Sequence, residues 1–240
     1  MKSEEADELR KIMSSEYEVL PHLDSDIGTF RYIKDADKIK DQLKTGKILD
    51  WGCGLGQMSY LLKNRGFDVI SYDIDQNGRK FLDRIGQTLI LAEDPVKMPF
   101  PDGSFEAVLS SGVLEHVPDH LASIKEISRI LKDNGYLIIF RLPNRYSYIE
   151  FVSDLLRRGD HPVKYSVSEI KQILDKEGFN LVDIRYKSFF PHNLKGFPGM
   201  VRKLYHKCDF ILGKIDSLFE NIPLINKLST NIEIIARKRG

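Results

Sequence analysis

Two carboxylates and a run of glycines are the first residues in this sequence whose types and spacing suggest chemistry. Asp50 stands two residues before Gly52, and Gly54 and Gly56 follow at alternate positions, with Cys53 inside the loop. Asp73 lies 21 residues beyond Gly52. Without a Cβ, glycine backbone turns sharply and lets a ligand lie directly against it. An acid about 20 residues past such a loop, at the tip of the next strand, accepts hydrogen bonds from ribose hydroxyls. The dinucleotide pattern G-x-G-x-x-G seats a pyrophosphate on a helix N-terminus. Here the spacing is G-x-G-x-G and Gln57 occupies the sixth position.

Asp50 narrows the ligand further. A carboxylate at the strand end repels pyrophosphate and suits a ligand that carries an ammonium and a sulfonium. S-adenosylmethionine (SAM) has both and no phosphate. The elements that must hold these residues are legible around them. Ile48-Leu49 reads as a buried strand, and Gln57 to Arg65 as a helix with Met58, Leu61 and Leu62 at helical spacing. Strand, glycine turn and helix form the first half of a βαβ unit. Further on, strands are expected at 68–72, 88–91, 105–110, 136–140, 180–186 and 231–237. Helices are expected at 76–85, at 118–131 with Pro118 in the first turn, and at 168–176. Asn134-Gly135 is read as the stop of the second of these. Upstream, residues 2–13 read as a polar helix, Tyr17 to Phe30 as irregular, and Arg31 to Leu43 as a helix ended by Gly46. Alternating strands and helices predict an α/β, doubly wound, Rossmann-like sheet in a single domain spanning 1–240.

LDWGCGLG, then YDID, then MPFPDGSFEAVLSSGVLEHVPD, together spanning roughly Ile48 to Phe140, resemble the class I SAM-dependent methyltransferases, in their small-molecule, type 11-like branch. The resemblance implies seven strands in the order 3-2-1-4-5-7-6 with the seventh antiparallel. It implies SAM as cofactor and S-adenosylhomocysteine as product. By the same resemblance Asp94 bonds the adenine amino group, and the backbone near Ser111 faces the methionine part. The expected cofactor set is Asp50, Gly52, Cys53, Gly54, Gly56, Asp73, Ile74, Asp94, Pro95 and Ser111. For Asp94 the sequence alone equally suggests a turn cap before Pro95. A helix preceding the first strand packs over the cofactor in this family, so residues 1–45 are expected as a lid or an edge segment. His116 is the candidate catalytic side chain: it could orient an acceptor or take a proton from a hydroxyl, or simply be a satisfied histidine at a helix start. His161, Tyr165, His192 and Arg141 are further candidates on loops. Two rivals remain at this level, a nicotinamide-type oxidoreductase, disfavoured by Asp50 and Gln57, and a SAM-binding module without turnover.

Composition bounds the partners. The chain has 240 residues and a formal net charge of +1, which gives no nucleic-acid footprint. Ser111-Gly112-Val113-Leu114 stands where a nucleic-acid amino-methyltransferase would resemble [D/N]-P-P-[F/Y]. Cys53 and Cys208 form no disulfide pattern. The N-terminus lacks an apolar signal core and no apolar run approaches the roughly 18 residues of a membrane span, so a cytoplasmic chain is expected. No metal-ligand set emerges, because Glu115-His116 has no further ligand at a telling spacing. The acceptor is expected to be a small molecule, sugar or lipid-linked compound, and the oligomeric state stays open. Between the last two strands, residues 187–230 form an insertion. There Met200, Leu204, Cys208, Ile211, Ile215, Leu218 and Ile222 fall on one helical stripe. This stripe could pack on the sheet, cap the acceptor site, or touch a membrane through 200–222.

Overall fold

The computed structural model describes residues 2–14, 26–155, 161–191, 200, 204–205 and 208–240. Two N-terminal helices, α1 (Lys2–Ser14) and α2 (Asp26–Leu43), precede the sheet. Then β1 (Lys47–Trp51), α3 (Gln57–Asn64), β2 (Asp68–Asp73), α4 (Arg79–Arg84), β3 (Leu89–Leu91), β4 (Phe105–Ser111) and α5 (His120–Ile130) alternate. The second half holds β5 (Leu131–Pro143), α6 (Tyr148–Leu155), α7 (Val167–Lys176), β6 (Phe179–Lys187), α8 (Asp209–Phe219), a 3-10 turn at Asn226–Leu228 and β7 (Asn231–Lys238).

The sheet has the order β3-β2-β1-β4-β5-β7-β6. β1 runs parallel to β2 and β4, and β7 runs antiparallel to both β5 and β6. Both faces are covered, which is why the strands read as apolar runs rather than alternating ones. Ile48 and Leu49 show the division: Ile48 packs with Ile33, Leu61 and Phe81 on one face, and Leu49 with Ile124, Ile127 and Ile170 on the other. The same alternation along β5 sends Ile138 and Phe140 to the first layer and Leu137 and Ile139 to the second. Strand order reverses between β1 and β4, and a crevice opens at the carboxyl ends of strands at such a point.

Several boundaries differ from the sequence reading for identifiable reasons. α2 starts at Asp26, so Asp26 to Phe30 is helical and not irregular; the remainder of that stretch, with Pro21 and His22, lies outside the described residues. α4 starts only after Gly78, because the chain there is pressed against the glycine loop: a Cβ on Gly78 would stand 2.3 Å from the Gly54 carbonyl oxygen. Pro118 is not in the first turn of α5. Asp119 caps that helix, its Oδ1 accepting from the Ala122 N–H at 2.9 Å. The helix ends at Ile130 and β5 begins at once, with Asn134 at φ 63° inside an early bulge rather than at the helix stop. Helix α6 has no counterpart in the sequence reading. Its outward residues Phe151, Val152 and Leu155 are exposed and apolar, so no polar face marked it.

The insertion is turned differently from its stripe. Ile211, Leu218, Leu204 and Met200 are exposed, whereas Asp216 is buried. Asp216 pairs with Arg31 of α2 and accepts the Phe190 N–H at 2.8 Å. A charged anchor on α2 therefore sets the face that α8 presents. Val201 of that stripe, the basic residues Arg202, Lys203, His206 and Lys207 that flank it, and His192 lie outside the described residues.

Candidate functional site

A cleft of about 150 Å³ opens at the carboxyl ends of β1, β2 and β4. It brings together Gly52, Asp73, Ile74, Asp94, Pro95 and His116 from four separate stretches of chain. Sequence reasoning missed Tyr72, Met98, Val113 and Val117 on its walls. These are core-type residues with no local mark of a site.

The glycines divide the loop's labour. A Cβ on Gly52 would stand 2.3 Å from Val113 Cγ2, and one on Gly56 2.6 Å from Leu82 Cδ2. Both are needed for packing. Gly54, at φ 55°, meets no described atom within 4 Å of such a Cβ. It is the loop position whose Cα faces open space, the close approach that glycine permits. The Gly54 N–H donates to Asp73 Oδ2 at 2.7 Å, and the Asp75 N–H donates to Asp73 Oδ1 at 2.9 Å. These bonds fix the carboxylate in place, and its further lone pairs can still accept. Ile74 beside it is 69% exposed, an apolar side chain standing over the cleft. Asp94 caps its own turn, with Oδ1 accepting from Val96 and Lys97 N–H groups at 2.8 and 2.7 Å. Those backbone donors hold its carboxyl below the usual range.

Asp50 does not face the cleft, against the expectation that its carboxylate meets a ligand ammonium. It is buried, and Ser59 Oγ donates to its Oδ2 at 2.6 Å, with Ser71 Oγ 2.7 Å from Ser59 Oγ. The strand's alternation turns it under the loop, where burial pushes its carboxyl up to about 6. Cys53 is likewise buried and its thiol is pushed up by burial. Ser111 lies outside the cleft walls and is tied to Arg141, whose Nη1 donates to its Oγ at 2.6 Å. Arg141 is a non-glycine residue at φ 59°, a conformation that costs of order 1–3 kcal/mol and persists only where the surroundings impose it. Its Nη2 donates to Asp35 Oδ2 at 2.7 Å and its guanidinium lies 3.9 Å from the Tyr32 ring centroid. Gln57 Nε2 donates to the Tyr32 hydroxyl at 3.3 Å. Through Tyr32 and Asp35, α2 is fastened to the strand ends and to the helix that follows the glycine loop.

Comparison with known proteins bears directly on this crevice. A family model described as a methyltransferase domain matches residues 49–139. An uncharacterized protein of Methanocaldococcus jannaschii is 31% identical over 79% of this chain and 78% of its own. The ubiquinone/menaquinone biosynthesis C-methyltransferase of Coxiella burnetii is 26% identical over 77% of this chain and 84% of its own. A 2-methyl-6-phytyl-1,4-hydroquinone methyltransferase of Synechocystis is 28% identical over 55% of this chain, and the match spans only 45% of that protein. Among solved structures, a SAM-dependent methyltransferase of Thermotoga maritima superposes with a TM-score of 0.60 at 18% identity, covering 89% of this chain and 91% of its own. The chain belongs to the class I SAM-dependent methyltransferases.

Beside the crevice this methyltransferase carries a second group of titratable side chains. Glu115 is buried, and its Oε2 has no hydrogen-bond partner among the described residues. Burial pushes its carboxyl up to about 7. His116 Nε2 lies 3.9 Å from Glu115 Oε1, and the His116 and His161 ring centroids are 6.0 Å apart. Nδ1 of His161 lies 3.0 Å from Glu150 Oε1, and Lys164 Nζ stands 3.2 Å from Glu150 Oε2. The fold thus gives Glu115-His116 the companion that spacing alone did not show, 45 residues along the chain at His161. Elsewhere, Tyr148, Phe189, Phe190 and Phe219 join α6, the segment after β6, and α8 in one aromatic cluster, with ring centroids from 4.8 to 6.0 Å apart.

Proposed function

We propose that this methyltransferase binds SAM in the crevice and methylates a small acceptor with an apolar body, of the prenylated or phytylated ring class. The observation that carries the cofactor reading is Gly54, an open, left-handed glycine whose N–H is fixed by the Asp73 carboxylate. The residues fit the group. Asp73 accepts from the ribose hydroxyls, Ile74 and Pro95 enclose the adenine, Asp94 accepts from its amino group, and Gly52 and Gly54 let the chain of the ligand pass close. Bound SAM supplies a methyl group on a sulfonium, already activated for transfer. The protein has to hold an acceptor in line and exclude water, and positioning of that kind accounts for ~7–11 kcal/mol of a barrier.

Support for the acceptor class is twofold. One relative is named as a phytyl-hydroquinone methyltransferase and another as a ubiquinone/menaquinone biosynthesis C-methyltransferase. Exposed apolar side chains also stand on α6, Phe151 and Leu155, and on α8, Ile211 and Leu218. Such a surface suits an apolar tail. On this reading 1–45 is the lid, held by Tyr32 and Asp35, and 187–230 caps the acceptor. No helix among the described residues is long and apolar enough to cross a membrane. The test is incubation of the chain with methyl-labelled SAM and a detergent-dispersed prenylated hydroquinone, and in parallel with a cell extract. Label in the organic phase is the expected result. Label confined to glycan or water-soluble fractions replaces the acceptor class, and SAM binding without turnover on any fraction makes the chain a binding module.

A further inference from the structure

We propose that Glu115, His116 and His161 form a binding site for a divalent transition-metal ion beside the cofactor crevice. One potential ligand atom from each of the three lies within 4.8 Å of the other two. Two imidazoles and one carboxylate are a donor set for zinc, iron or manganese rather than for calcium or magnesium, which take oxygen ligands. Zinc–ligand bonds of roughly 2.0–2.2 Å bring such atoms about 3–4 Å apart. His116, half exposed, can rotate to close that distance.

Two independent observations point to a cation here. The first is the state of Glu115: only 2% exposed, with one carboxylate oxygen unpartnered among the described residues. A buried carboxylate is retained where it is paired or ligates a metal, and neither lysine nor arginine pairs with it among the described residues. The second is the support behind His161. Its Nδ1 lies 3.0 Å from Glu150 Oε1, and the ion pair from Lys164 holds that carboxylate in turn. A metal-ligating histidine commonly gives its other ring N–H to a carboxylate, which fixes the tautomer and the ring's orientation.

The site's place gives it a use. His116 lines the crevice as well as this cluster, so an ion held here stands next to the cofactor position. With three protein ligands it keeps open positions, as catalytic metal sites do, and these take an oxygen of the acceptor, a hydroxyl or phenol. That last step rests on the methyl-transfer reading; the metal site itself does not.

The experiment uses the full chain stripped with a chelator and titrated calorimetrically with Zn2+ alone, then separately with Mn2+, without SAM or acceptor. One equivalent should bind, and Glu115→Gln and His161→Ala should each weaken binding by at least about tenfold, the low end for a damaged metal shell. Both variants should keep the wild-type circular dichroism spectrum and thermal transition, which shows that they fold. Should either fail to fold, anomalous diffraction or X-ray absorption at the metal edge on the wild-type chain decides, with density or scattering from two nitrogens and one carboxylate expected at these three side chains. No stoichiometric uptake, unchanged affinity in the folded variants, or an ion located at other histidines overturns the proposal. Because the readout needs neither SAM nor turnover, its failure leaves the methyl-transfer reading standing, and failure of that reading leaves the metal result intact.

Discussion

The crevice and the proposed acceptor side of this molecule are built by different means. The crevice between β1, β2 and β4 is made largely of backbone: three glycines, two of them packed against Val113 and Leu82, and an acid that grips the loop's own N–H. The acceptor side is made of side chains from distant segments. Glu115 follows β4, Glu150 sits in α6, His161 follows the α6 region, and Phe219 ends α8. A backbone site tolerates little change at fixed positions and is the same wherever its ligand is the same. A side-chain site on loops and an insertion can change its acceptor while the sheet stays intact.

The strongest way to sharpen the contrast is inside the glycine loop. Gly56→Val should prevent stable folding, since its Cβ would collide with Leu82 at 2.6 Å from a backbone at φ 88°. Overpacking of this kind together with left-handed strain costs several kcal/mol, roughly 1–3 for the packing and 1–2 for the backbone. Gly54→Ala pays only the backbone strain, about 1–2 kcal/mol, because nothing lies within 4 Å. It should fold by circular dichroism and lose SAM affinity. A Gly54→Ala variant that binds SAM as wild type does would remove Gly54 from the site.

The same contrast explains what was legible in the sequence. The glycine spacing, Asp73 and the strand–helix alternation are local, so the seven-stranded order and the crevice could be anticipated from them together with the family resemblance. Asp50 was readable as a site residue but not as a buried one: one step of strand alternation turns it inward to Ser59. α8 was readable as an amphipathic helix but not in its orientation, since Asp216 is drawn inward by Arg31, 185 residues away. The Glu115, His116 and His161 cluster was not readable at all. Its third member lies 45 residues further along the chain, beyond β5 and α6.

Asp50 also carries a pH signature. Burial holds its carboxyl at about 6, above the ordinary value near 3.9. The native state therefore binds this proton more tightly than the unfolded chain. The associated stability is fully present below about pH 4 and is lost as pH rises through about 6. Asp50→Asn removes that loss. In denaturant unfolding without cofactor the variant should exceed wild type by on the order of 1–3 kcal/mol at pH 8. The gap should close toward pH 4. A gap that does not change with pH would show that the carboxylate is not strained by burial.

On the acceptor side, Asp216→Ala removes the carboxylate that Arg31 meets across α8 and α2. The expected loss is on the order of 2 kcal/mol, less than the ~3–5 of a fully buried pair because Arg31 is one-fifth exposed. SAM affinity should stay near wild type while turnover on the acceptor falls. Equal loss of both would mean that α8 supports the crevice as well as the cap.

The central claim is that this crevice holds SAM, and calorimetric titration of the chain with SAM, S-adenosylhomocysteine and NAD tests it most directly. SAM and S-adenosylhomocysteine should bind at one equivalent and NAD should not. Asp73→Ala should weaken SAM by at least about 1.5 kcal/mol, the low end for hydrogen bonds to a charged acceptor. Binding of NAD without SAM, or SAM affinity unchanged in Asp73→Ala, would contradict the account.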